Sequence, residues 1–65
     1  MTTRRTFTAA EKLEAVEREL SLRRKVYPRR VADNRMTQAF ADEQIALMEA
    51  VAADLREQAA KERLL

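Results

Sequence analysis

Residues 22–37 read LRRKVYPRRVADNRMT, and this stretch decides the fold. It gathers six of the thirteen basic residues (Arg23, Arg24, Lys25, Arg29, Arg30 and Arg35) around the only proline, with Asp33 the one acid among them. Helix-forming sequence lies on both sides. A proline inside a helix removes a backbone donor and crowds the preceding turn, so Pro28 either kinks a helix or ends it. Tyr27 and Val31 prolong the apolar stripe of the preceding segment, which favours a kinked continuation. Asn34 is the best residue for a left-handed C-terminal cap in a chain without glycine. Thr37 is a natural N-cap for the segment that follows, with Asp42 and Glu43 expected near the positive end of its dipole. The stretch therefore reads as a basic elbow between two helices.

Upstream, residues 1–7 read as a flexible basic arm and residues 8–65 as one helical domain. Thr8-Ala9-Ala10-Glu11 has the form of a capping box, so the first helix is expected to start at Ala9. Leu13, Val16, Leu20, Tyr27 and Val31 then recur at helical spacing, with Arg23 or Arg24 between them, and Leu22 and Val26 run alongside. Glu14–Arg18 and Glu19–Arg23 are i,i+4 pairs in the favourable order. Downstream, Ala41, Ile45, Met48, Ala52, Leu55 and Ala59 alternate in steps of four and three, a coiled-coil seam carrying small residues at intervals. Phe40, Leu47 and Val51 widen it to a bundle-type face. Glu57–Lys61 adds a further pair, and residues 63–65 are expected to fray.

Two helices joined by a short elbow run antiparallel. The fold class is therefore all-α, a two-helix antiparallel hairpin with its first helix kinked near Pro28. Sixty-five residues bury only a thin core, and chains this short usually need a staple. With no cysteine and no histidine, disulfides and the commonest metal ligands are excluded, which leaves oligomerisation. A homodimer in a four-helix arrangement is expected, with Leu13, Val16, Leu20, Ile45, Met48 and Leu55 holding fold and dimer. No apolar run approaches the length of a membrane span, and no secretory h-region opens the chain, so a cytoplasmic protein without membrane contact is expected.

The chemistry-bearing residues are few. Glu14, Glu17, Asp42, Glu43 and Glu49 read as solvated helix faces, because a carboxylate-bridged metal bundle needs Glu-x-x-His pairs and the chain has no histidine. No nucleophile–base pair or glycine-rich phosphate loop is present, so no enzymatic activity and no cofactor or metal are expected. Tyr27 and Phe40 read as core aromatics, and Met36 and Met48 as packing. The elbow is the candidate binding site, with Arg23, Arg24, Tyr27, Arg29, Arg30 and Arg35 as contact residues. Three readings apply to it: docking to a protein groove, where arginine is favoured; a solubilising tip; and phosphate neutralisation on nucleic acid, for which Tyr27 is the only aromatic to hand.

The opening phrase RRTFTAAEK resembles that of insertion-sequence transposase accessory subunits, but a helix-turn-helix needs a tight turn and an early recognition helix, which an unbroken first helix does not supply. The phrases ELSLRRKVYPRRV, RMTQ and ADEQIALMEAV together resemble a group of small proteins encoded in phages and prophages of Gram-negative bacteria. In size and hairpin architecture that group is similar to the quorum-sensing anti-activators of Pseudomonas phages. The resemblance implies a homodimer in the host bacterial cytoplasm that binds and inhibits a host protein, a quorum-sensing activator and/or the type IV pilus assembly ATPase. Phe40 stands where an acidic residue is expected three positions after the Thr37 cap, leaving an aromatic available for binding. A DNA-binding regulator using the basic patch is the alternative.

Overall fold

A computed structural model describes residues 6–64. They form two α-helices, α1 (Ala9–Ala32) and α2 (Gln38–Arg63), packed as an antiparallel hairpin. The expected flexible arm falls largely on residues 1–5, outside the described residues, as does the expected fraying at Leu65. Arg63 is helical, one residue further than expected, and Leu64 closes α2.

The caps lie where the side-chain chemistry puts them. The Glu11 amide donates to Thr8 Oγ1 at 3.1 Å and the Thr8 amide to Glu11 Oε1 at 3.0 Å, a complete capping box that starts α1 at Ala9. At the other end Asn34 has φ 60°, the left-handed region that an unbranched Asn tolerates. The Arg35 amide then reaches the Arg30 carbonyl at 2.9 Å and the Asn34 amide reaches the Val31 carbonyl at 3.1 Å. These are the two bonds of a Schellman motif, with Asn in the place glycine usually takes. Thr37 Oγ1 accepts from the Phe40 amide at 3.1 Å and starts α2. Asp42 and Glu43 fall beyond the first turn of α2, which carries no acidic residue, and Asp42 accepts instead from Gln38 Nε2 at 2.8 Å.

α1 runs through Pro28 and ends four residues later at Ala32. Proline leaves the Arg24 carbonyl without its intrahelical donor. Pro28 is exposed, while Val31 beyond it stays half-buried on the seam.

The seam is narrow. Ala9, Leu20, Ala41, Ala52 and Ala59 are buried, and Leu13, Val16, Ile45, Met48 and Leu55 are half-buried. Cross-helix bonds set the register: Ala9 meets Glu62, Glu17 meets Arg56, and Arg24 meets Glu49. Between these fixed points Leu20 comes opposite Ala52 and Leu13 opposite Ala59, large against small. Alanine on one side lets the helix axes approach closely while leucine on the other fills the gap. Arg23, not Arg24, takes the place in the α1 stripe between Leu20 and Tyr27 and is half-buried there.

The thin seam leaves much surface wet. The chain of 7.5 kDa exposes 5583 Å2, where a compact monomer of that mass exposes about 4,200 Å2. Leu22, Phe40 and Leu47 are each about half exposed and Val51 somewhat less. Phe40 is thus not the core residue its apolar neighbours suggest: its line on α2 points past α1 rather than into it.

Candidate partner-binding surface

The hairpin has two unlike faces. On one, the ion pairs Arg24–Glu49 and Arg56–Glu17 (3.3 Å) cross between the helices. Together with Ser21 they border a polar groove floored by Leu20 and Ala52. Glu17 and Arg24 are seven residues apart, as are Glu49 and Arg56, so each helix presents the same heptad position to its neighbour. That spacing is the sequence signal for these pairs; without the register between the helices it does not say which charge meets which.

Among the described residues the opposite face carries no ion pair between the helices. Helical spacing places Leu22 and Val26 of α1 on it beside Leu47 and Val51 of α2, with Phe40 toward the elbow. Leu22 and Val26 share a shallow groove with Glu19, Arg23, Tyr27 and Arg30. In the register above Leu22 comes level with Val51, and Val26 with Leu47. Glu19, Arg23 and Arg30 stand among the α1 members of this set.

At the elbow end the six expected contact residues divide into two groups. Arg23 donates to Glu19 at 2.9 Å and lies 5.9 Å from the centre of the Tyr27 ring. Arg30 lies 6.0 Å from the same ring, so the half-buried tyrosine has two guanidinium groups within cation–π range. Arg24 is engaged by Glu49. Arg29 and Arg35 are exposed and pair with no carboxylate among the described residues, and Lys25 shares that condition. The last three are the cations available to a partner; the others stiffen the end of α1. Val31, Asn34, Met36 and Thr37 line a shallow depression beside Arg35, over which the half-buried Met36 closes the tip.

No protein-family model, curated protein or solved structure matches the chain.

The far end is tied by a contact that pattern reading does not reveal. The Glu62 carboxylate accepts from the Ala9 amide at 3.1 and 3.3 Å. A helix start has four orphan amides and a partial positive charge, and a carboxylate answers both. Here it comes from the last turn of the other helix. Among the described residues no cluster of three or more Asp or Glu could hold a metal, and no helix is long and apolar enough to cross a membrane.

Proposed function

We propose that this hairpin is a non-enzymatic binding protein. It acts as a homodimer, in a four-helix arrangement, that inhibits a host protein by occupying a surface the target needs. The observation that carries the reading is the separation of surfaces: exposed Leu22, Leu47 and Val51 at mid-length, suited to self-association, and three cations without an ion pair among the described residues at the elbow, suited to a partner. Burying Leu22, Val26, Leu47 and Val51 against a second copy gains about 1.5–3 kcal/mol per fully covered side chain, less for these partly covered ones. The Tyr27 ring, with Arg23 and Arg30 in cation–π range, presents an aromatic and arginine edge next to the free cations, the composition that dominates binding hot spots. Inhibition, rather than simple attachment, comes from the resemblance to phage anti-activators, which also supplies the candidate targets: a quorum-sensing activator and the pilus assembly ATPase of the host cytoplasm.

The test is capture from nuclease-treated host lysate with tagged protein, compared with an Arg29→Ala/Arg35→Ala variant. Both side chains are exposed and hold no ion pair, so the variant keeps its fold. One stoichiometric protein that inhibits in proportion to added hairpin, and is lost in the variant, is expected. Retention of every partner by the folded variant sinks the elbow reading.

The nucleic-acid alternative has the same three cations in its favour. With Arg23, Arg24 and Arg30 engaged, each elbow offers about three phosphate contacts, so log K should fall with log salt at a slope of about −3 per elbow. A dimer that binds DNA with twice that slope would move the assignment to this reading.

A further inference from the structure

We infer that the elbow is a hinge through which two copies exchange α2. Each chain straightens into one continuous helix from Ala9 to Arg63 and pairs antiparallel with the other along the seam already described. The occupant of the α1 seam is then the α2 of a second copy. This goes beyond the four-helix homodimer proposed above and uses none of its contacts. The observation that carries it is a phase kept through the elbow. Leu13, Leu20 and Tyr27 of α1 and Ala41, Met48 and Leu55 of α2 fall on one seven-residue period, and all are buried or half-buried. Asn34 is the member of that period between them. The companion positions shift by one residue, from Val16 and Arg23 to Val31, Ile45 and Ala52, which widens the stripe without turning it. An elbow that only reverses the chain has no need to keep two stripes in phase. One residue more or less would turn one stripe by about 100° from the other in a continuous helix. A seven-residue repeat unbroken over this length is the pattern of a long paired helix.

The elbow itself is able to become helical. Residues 33–37 read DNRMT, with no glycine and no proline, and Pro28 already lies inside α1. Asn34, at φ 60°, is the one positive-φ residue among the described residues, a conformation that disfavours side chains with a Cβ. Straightening releases it and carries the backbone ladder across the elbow. The seam contacts recur between chains: Leu20 against Ala52, Leu13 against Ala59, Arg24 against Glu49. The same register sets Asn34 against Gln38 of the partner subunit, amide facing amide, with Met36 at the twofold axis. The hairpin is held closed by the Schellman bonds to the Arg30 and Val31 carbonyls, the Thr37 cap and the high effective concentration of two helices in one chain. Exchange between identical chains that keeps the native contacts needs little beyond such a hinge. In the straight form residues 23–35 lie along the middle of a rod, and the basic tip is gone.

The chain has no cysteine, so two introduced thiols carry the only labels. Ser21→Cys/Ala53→Cys, at exposed positions, takes two nitroxides; Ala10→Cys/Ala60→Cys, also exposed, serves if the first pair disturbs the fold. Labelled chain is refolded with a large excess of unlabelled chain, so the electron–electron signal reads distance within one chain, and light scattering gives the mass. For the first pair the hairpin predicts about 10–20 Å, across adjacent helices. The straight chain predicts about 48 Å, the helical rise between positions 21 and 53. A long-distance population with the mass of two chains, growing with concentration during refolding, is expected. Asn34→Ala, which disfavours positive φ and favours helix, should raise it about tenfold, and Asn34→Gly should lower it. One alanine inserted between Arg35 and Met36 breaks the phase and should abolish it while circular dichroism stays helical. Absence of the long distance at millimolar concentration overturns the exchange, as does a long distance that survives the insertion. A short distance at doubled mass overturns it and leaves the four-helix homodimer standing. A short distance at single mass at every concentration overturns both.

Discussion

The two faces of this hairpin use the same kind of sequence to opposite ends. Both flank the same alanine-rich seam, and both are built from residues at heptad spacing. On the polar face Arg24–Glu49 and Arg56–Glu17 bridge the helices, each with side chains about half exposed. Pairs that wet contribute about 0–1 kcal/mol each, so they fix register more than they add stability. On the other face Leu22, Phe40 and Leu47 are each about half exposed. The comparison teaches that a seam narrowed by alanine leaves apolar side chains of one face beyond the reach of the other helix.

That contrast can be broken first at the seam. Among the described residues Leu20 is the only large side chain that is buried, 6% exposed and opposite Ala52. Leu20→Ala should cost about 2–5 kcal/mol, a large part of what a domain this small has, and should leave little helix at 25 °C by circular dichroism. A melting temperature within a few degrees of the parent would mean that the seam is not the core.

The open face offers the sharper test. Leu47→Lys should leave helix content at high concentration nearly unchanged, yet halve the mass by light scattering and remove the concentration dependence of melting. If the mass and its concentration dependence survive, the open face is not where copies meet. At the caps, Thr37→Ala should cost about 1 kcal/mol in urea unfolding, because it frees the Phe40 amide. Asn34→Gly should act in the other direction, raising stability by a few tenths of a kcal/mol, since glycine occupies positive φ without strain. Smallest of all is the polar face: Arg56→Ala should change stability by less than about 1 kcal/mol while the mass stays the same. A larger loss would show that the cross-helix pairs do more than set the register.

These expectations mark how far the sequence can be read. Both helix starts, the Asn34 cap, the passage of α1 through Pro28, and the Glu14–Arg18, Glu19–Arg23 and Glu57–Lys61 pairs are local, settled within four or five residues, and each is legible from neighbours alone. The cross-helix terms are not. Glu62 on Ala9, Arg24 on Glu49, and the choice of Arg23 over Arg24 for the seam all depend on how one helix slides along the other. That register is set by the match of leucine to alanine, not by any one residue's neighbours. Phe40 carries two opposed expectations, core by its apolar line and available by its place after the Thr37 cap, and it is half exposed. It belongs to an apolar pattern, but a pattern broad enough for a bundle exceeds what one partner helix can cover. The elbow was legible as a basic cluster, whereas the number of its cations left free was not, because partners such as Glu49 lie far away in the chain.

The Glu62–Ala9 contact has a consequence for handling and for evolution. By drawing the start of one helix against the end of the other, it brings the two ends of the domain together, far from the elbow. A segment whose entry and exit coincide can be spliced into a surface loop of another protein, or joined end to end, without disturbing what its tip presents. The elbow is thus a portable head on a stem with a single point of attachment.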